Sequence, residues 1–338
     1  MPTAPRDWTA PELLQLSGGY WSACALQAAV RLDLFTHLAA APSATGEAAA
    51  HVGADQRGLL RLLEALAALG LVTRDAEGLW SPAPAACRHL ARSGSAYLGH
   101  IITHHQLIMD AWSRLPEAVR TGAPTRERSS HLDDEAAREA FLMGMYDLAN
   151  LAAPRVAAAI DLSGRRHLLD LGGGPGTYAI HFCRRHVSLR ATVCDLPTTR
   201  GFAERTIAAH GLADRITFAD ADYNLEPIPC GFDAAWLSHV LHGEGPAGAA
   251  ALVRKAAGSL EPGGLLLVQE FILDDDRLGP PHPALFGLNM LVGTPDGQSY
   301  SGTELAAMLT AAGAGDIHRL PLELPNGAGI IAGTMGTA

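Results

Sequence analysis

Leu168-Leu169-Asp170-Leu171-Gly172-Gly173-Gly174-Pro175-Gly176 is the stretch that decides the fold. An apolar run ends in a carboxylate and breaks into glycines, and apolar residues resume at Tyr178, Ile180 and Phe182. This pattern predicts a buried strand, a tight turn and a helix start, where backbone N–H groups face outward and a ligand approaches unhindered. Dinucleotide-binding folds use G-x-G-x-x-G, whereas Gly172, Gly174 and Gly176 are spaced G-x-G-x-G. Asp170 ahead of the loop would repel a pyrophosphate and suits a ligand that presents a cationic group.

Working outward, Ala191-Thr192-Val193-Cys194-Asp195 reads as the next parallel strand, ending in an acid suited to ribose hydroxyls. Arg215 to Phe218 reads as a third short strand leading to Asp222-Tyr223, where an acid can take an adenine amino group beside a ring. Phe232 to Leu237 and Gly264 to Glu270 read as the fourth and fifth strands. Helix-length connections between most of them imply a parallel sheet with helices on both faces and a ligand at the carboxyl ends of the strands. Asp170, Asp195 and Asp222 all fall at that edge. A cationic cofactor such as S-adenosylmethionine, with its amino and sulfonium groups, fits such an edge.

The 338 residues suffice for two domains, and 48% hydrophobic content provides a substantial core. Net charge is −10 and Lys255 is the sole lysine, which argues against a nucleic-acid partner bound through its phosphates. Cys24, Cys87, Cys183, Cys194 and Cys230 have no paired spacing and suit a reducing compartment. No apolar stretch approaches the ~20 residues that span a bilayer, so the expectation is a soluble, cytoplasmic protein with no membrane partner.

Residues 1–100 read as mostly helical. Leu13 to Leu34 is apolar all round, which suggests one helix buried on several sides, as against a second subunit. Asp55 precedes a leucine-rich helix closed by Gly70, and Asp75-Ala76-Glu77-Gly78 turns a hairpin between Leu71-Val72-Thr73 and Leu79-Trp80-Ser81. This is a winged-helix outline. Seven arginines against eight acids over residues 1–100 make dimerisation a better reading than DNA binding. Residues 101–160 read as bridging helices, and residues 161–338 as the cofactor-binding domain. His100, His104, His105, Met109 and Met145 in or beside the bridge suit pocket lining or packing, and no acid at matching spacing favours a metal there.

Ser238-His239-Val240-Leu241-His242-Gly243-Glu244 follows the fourth strand at the cofactor edge. A transfer to a hydroxyl needs a base near neutral pH, which favours histidine, His242 before His239. Glu270 at the end of the fifth strand is placed to orient an imidazole. Asp274 to His282 reads as a loop, with His282 exposed.

These motifs resemble the S-adenosylmethionine-dependent O-methyltransferases of the caffeate and acetylserotonin type, over nearly the whole chain. The resemblance rests on the winged-helix region, the Asp170–Gly176 loop, Cys194-Asp195-Leu196-Pro197, Ala221-Asp222-Tyr223, Leu241-His242, Gln269-Glu270 and Asn289-Met290-Leu291. It implies a class I methyltransferase: a Rossmann-like doubly wound α/β sheet behind a winged-helix dimerisation domain, working as a homodimer in secondary metabolism. It implies that Asp170, Gly172, Gly173, Gly174, Asp195, Leu196, Asp222, Tyr223 and Ser238 hold the cofactor. It makes His242 the general base and Glu270 its orienting carboxylate. Met145, His105, Met109, His239, Asn289 and Met290 become the acceptor contacts, with no metal. The acceptor is then a hydroxyl of a small aromatic or polyketide-like molecule. C- or N-methylation, or a non-methylating reaction, are the alternatives. The chain departs from the family's usual His-Asp-Trp at Gly243-Glu244, and has Ser299 where the plant pattern carries a second carboxylate.

Overall fold

A computed structural model describes residues 6–129 and 134–337. These form two units, one of residues 6–109 with 139–147, the other of 110–129, 134–138 and 148–337. The helix Glu135–Ala159 contributes residues to both.

In the helical unit, Asp55 caps the helix Gln56–Ala68 by accepting the Gly58 N–H at 2.9 Å. Its leucines Leu59, Leu63 and Leu66 recur at helical spacing and are buried. The short strands β1 (Val72–Arg74) and β2 (Trp80–Pro82) pair antiparallel, as the wing reading requires. The expected single helix from Leu13 to Leu34 is instead three, Ala10–Gly18, Tyr20–Arg31 and Leu34–Ala40. The breaks fall at Gly19 and at Asp33, which adopts φ 53°. Leu14, Leu16 and Trp21 are 64% or more exposed, so this unit alone does not bury that face.

The other unit is built on a sheet. Its strands are β3 (His167–Leu171), β4 (Arg190–Asp195), β5 (Ile216–Asp220), β6 (Phe232–Ser238), β7 (Leu260–Leu273), β8 (Tyr300–Ser301), β9 (Ala314–Arg319) and β10 (Ala328–Met335). They are ordered β5-β4-β3-β6-β7-β10-β9, with β8 pairing β7. β3 to β7 run parallel, as expected. β10 lies antiparallel between β7 and β9, so the sheet is mixed. Leu168, Leu169 and Leu171 of β3 are fully buried because helices cover both faces of the sheet. On one face the ring of Trp236 packs 5.0 Å from Tyr178 and 5.3 Å from Phe182 of the helix Thr177–Arg185. Each such buried ring or leucine contributes roughly 1.5–3 kcal/mol. Strand order reverses at β3, whose neighbours are β4 and β6. The crevice at the carboxyl ends of β3 and β6 is therefore the topological switch point, where open α/β sheets bind ligands.

Candidate active site

Two loops meet at that crevice. The first leaves β3 at Asp170. Gly172 turns at φ 67° and its N–H donates to the Cys194 carbonyl at 2.8 Å. A Cβ on Gly172 would lie 2.6 Å from Val240 Cγ2, and one on Gly173 would lie 2.5 Å from the Asp170 carboxyl carbon. Glycine is thus imposed by close packing as well as by conformation. Above Gly174 there is open space.

Two buried acids stand beside this loop. Asp170 is 1% exposed and its Oδ2 accepts the Ala179 N–H at 3.2 Å. Burial pushes its carboxyl up to about 7, and the nearby Asp195 adds to the rise. Asp195 accepts N–H bonds from Gly174 at 2.8 Å and Leu196 at 2.7 Å, and burial raises its carboxyl as well. Past β5, Asp222 accepts the Asn224 N–H at 3.0 Å, and Tyr223 lies beside Gly172. The structure therefore gathers Asp170, Gly172, Gly173, Gly174, Asp195, Leu196 and Tyr223 around one loop, with Asp222 adjoining Tyr223.

The second loop leaves β6 at Ser238, close to the Tyr178 phenol. His239 follows in the left-handed region at φ 55°. Its N–H donates to the Gln269 carbonyl at 2.9 Å. His242 sits in the short helical turn Leu241–Gly243. Its Nδ1 lies 2.8 Å from Glu270 Oε2, and its backbone N–H donates to Glu270 Oε1 at 3.2 Å. Glu270 was expected at a strand end. It lies three residues inside β7 and is 1% exposed. Burial alone would raise its carboxyl, but His242 and His239 outweigh burial and hold it well below the usual carboxylate range. His239 Nδ1 is 3.6 Å from the same Oε2, and Gln269 Nε2 is 3.0 Å from His239 Nε2 and donates to Tyr178 Oη at 2.9 Å. His239, His242 and Glu270 also offer three metal-type ligand atoms within 4.8 Å of one another, the one such group among the described residues.

An aromatic wall completes this side, and sequence reasoning missed it. Phe286 meets His242 edge-on at 4.7 Å between centroids, and Phe271 packs 4.3 Å from His239 and 4.8 Å from Phe286. His282 is not an exposed loop residue. It is half-buried in the helix Pro281–Gly293, 4.8 Å from Phe271. The i, i+4 spacing of His282 and Phe286 was the available signal. On the same helix Asn289 Oδ1 accepts the Trp112 Nε1–H at 3.3 Å, and Met290 is buried. Met145, His105 and Met109 belong to the helical unit. In that unit His100 pairs with Asp147 at 3.2 Å, an acid that helical spacing could not reveal.

The two departures from the family pattern have visible partners. Ser299 is buried and donates its hydroxyl to the Pro283 carbonyl at 2.7 Å, so it braces the Pro281–Gly293 helix. Glu244 accepts Arg128 Nη1 at 2.7 Å and Asn224 Nδ2 at 3.1 Å.

A doubly wound sheet with an acid-flanked glycine loop at its switch point, beside a buried carboxylate–imidazole pair, defines a class I methyltransferase. A profile described as the O-methyltransferase domain matches residues 112–314, and one described as the O-methyltransferase dimerisation domain matches residues 14–92. The chain is 35% identical to the 3-hydroxy-5-methyl-1-naphthoate 3-O-methyltransferase of Streptomyces sahachiroi, over 98% of this chain and 97% of the relative. It is 35% identical to the tetracenomycin polyketide synthesis 8-O-methyl transferase TcmO of Streptomyces glaucescens, over 93% and 94% respectively. The crystal structure of human N-acetylserotonin methyltransferase in complex with S-adenosylmethionine superposes with a TM-score of 0.87 at 27% identity, covering all of both chains. The chain belongs to the S-adenosylmethionine-dependent O-methyltransferase family, and it carries that family's dimerisation domain. Among the described residues no helix is long and apolar enough to cross a membrane.

Proposed function

We propose that this enzyme methylates a hydroxyl of an aromatic, polyketide-type acceptor, with His242 as general base. The observation that carries the reading is the 2.8 Å contact between His242 Nδ1 and a buried Glu270. The relatives named for naphthoate and tetracenomycin substrates support the acceptor class.

The cofactor loop fits the group that the family uses. Open space over Gly174 leaves room for a ligand, and two carboxylates buried beside it favour a cationic one. Asp170, Gly172, Gly173, Gly174 and Ser238 would face the amino-acid portion, Asp195 and Leu196 the ribose, and Asp222 and Tyr223 the adenine. When bound, S-adenosylmethionine supplies an electrophilic methyl group on a sulfonium. The protein's own task is the proton. Donation from His242 Nδ1–H to Glu270 leaves the Nε2 lone pair free to take the acceptor's hydroxyl proton. Glu270, held ionised, then stabilises the imidazolium that forms. The wall of Phe286 and Phe271 offers flat apolar surface to a ring beside the base. Asn289, Met290 and His239 are the proposed acceptor contacts.

The functional division is into a dimerisation part at 1–100, a substrate-facing bridge at 101–160 and a catalytic part at 161–338. Exposed Leu14, Leu16 and Trp21, overlapping the dimerisation match, support a homodimer built on that face. The test is incubation with S-adenosylmethionine and hydroxylated naphthalene acceptors, read by mass and by the carbon shift of the new methyl. An O-methyl product that disappears in His242→Ala supports the reading. A C- or N-methyl product, or full turnover by His242→Ala, overturns it.

A further inference from the structure

We infer that Arg126 is an anion subsite for a carboxylate on the acceptor, so that the acceptor is an aromatic hydroxy acid. This rests on the reading that the acceptor's hydroxyl meets His242.

Arg126 lies on a pinned segment. Its backbone N–H and that of Thr125 both donate to the Val292 carbonyl, at 3.2 and 3.0 Å. Thr125 Oγ1 donates to the Ala111 carbonyl at 3.2 Å, and Arg114 donates to the Thr125 carbonyl. The guanidinium then folds over Gly293, where a Cβ would lie 2.4 Å from Nη2 and 2.5 Å from Cζ. Only glycine at 293 leaves that position open.

Its hydrogen-bond partners among the described residues are neutral. Nη1 donates to Ser129 Oγ at 2.9 Å and to the Glu127 carbonyl at 3.1 Å, both neutral acceptors. Nε is buried without an acceptor, and among the described residues no carboxylate lies within 4.0 Å of the guanidinium. Burial lowers its pKa. Two residues on, Arg128 has a carboxylate at 2.7 Å. A half-buried guanidinium whose Nε donor is buried and idle is costly, and a carboxylate supplies the matching acceptor geometry.

The subsite also has a direction. His282, Phe286, Asn289 and Gly293 are spaced i, i+4, i+7 and i+11 and share one helix face. Phe286 meets His242 on that face, and Gly293 lies about 10 Å further along the axis. A hydroxyl at His242 and an acid at Arg126 therefore sit at opposite ends of a fused-ring acceptor rather than on adjacent carbons.

The test compares 6-hydroxy-2-naphthoate with its methyl ester, by isothermal titration in the presence of S-adenosylhomocysteine and by kcat/KM. Wild type should prefer the acid by about 10- to 100-fold. Arg126→Met should bring the acid-to-ester ratio toward one, and Arg126→Lys should restore part of it. Three results overturn the inference. Wild type fails to prefer the acid, or binds neither compound. Arg126→Met weakens both equally with a lower Tm, which makes the residue a structural brace. Arg126→Met weakens S-adenosylhomocysteine itself, which assigns the carboxylate to the cofactor. Methylation of the neutral ester by wild type tests the His242 reading independently of Arg126.

Discussion

Nδ1 of His242 lies 2.8 Å from Oε2 of a fully buried Glu270, and the same carboxylate accepts the His242 backbone N–H through its other oxygen. One acid thus fixes both the ring and the turn that carries it. With Ser299 committed to the Pro283 carbonyl, Glu270 is the carboxylate paired with His242. Glu270→Gln keeps an acceptor for Nδ1–H but removes the charge that stabilises an imidazolium. The expected loss in kcat is about 10²-fold, and about 10²–10⁴-fold for His242→Ala. Titration with S-adenosylmethionine should give a near-wild-type Kd for His242→Ala. A tenfold weaker Kd would mean that the substitution disturbs the cofactor loop instead.

Asp170 carries a pH dependence of the opposite sign to that of an ordinary surface carboxylate. Its folded-state value of about 7 lies above its intrinsic 3.8, so between these values the folded protein holds a proton that the unfolded chain has lost. Stability from this group therefore falls as pH rises from about 4 to 7, and stays reduced above that. Asp170→Asn removes the ionisation while keeping an acceptor for the Ala179 N–H. Without cofactor, the variant should melt above wild type at pH 8, and the gap should narrow at pH 5. It should also bind S-adenosylmethionine more weakly at pH 8. A gap that is constant with pH would show that Asp170 does not titrate in this range.

Gly172 tests whether the loop is held by packing or only by backbone conformation. An alanine there must adopt φ 67° and place its Cβ 2.6 Å from Val240 Cγ2. Gly172→Ala should cost about 1–3 kcal/mol in denaturant unfolding. Val240→Ala in the same chain should recover the steric part but not the conformational part, giving a non-additive pair. Strict additivity would mean that Val240 is not the obstacle.

The parts legible in sequence were those set by local pattern. Asp170 to Gly176 announced strand, turn and helix because an apolar run, an acid and glycines are each restricted by burial or backbone geometry. Val72 to Ser81 announced the hairpin for the same reason. β9 and β10 were not read, although Gly329-Ile330-Ile331-Ala332-Gly333 is an apolar run, because an antiparallel return carries no motif of its own. Around His282 the sequence misleads: Pro280-Pro281 reads as loop, whereas Pro281 occupies the first turn of a helix, where its missing N–H costs nothing. The pairings of His100 with Asp147 and Arg128 with Glu244 join residues 47 and 116 positions apart, a distance that periodicity does not reach.

Glu244 follows the turn that carries His242, and its surroundings give it a bracing role. Arg128 joins the Glu244 carboxylate at 2.7 Å and the Gly243 carbonyl at 2.6 Å, while the Tyr300 hydroxyl donates to the Glu244 carbonyl. The Gln298 N–H closes the same turn on the His242 carbonyl at 2.9 Å. Glu244 and Arg128 are 20% and 27% exposed, so their pairing is partly shielded from solvent. Glu244→Ala leaves Arg128 with only a neutral acceptor in that turn, at a cost of about 1–3 kcal/mol. Because the turn carries His242, a looser brace should reach the chemistry through ring position. The expected result is a several-fold lower kcat, a smaller change in S-adenosylmethionine affinity, and partial recovery in Glu244→Gln, which can still accept from Arg128. Equal kcat in wild type and Glu244→Ala, with a lowered Tm, would confine Glu244 to stability and leave the placement of His242 to Glu270 alone.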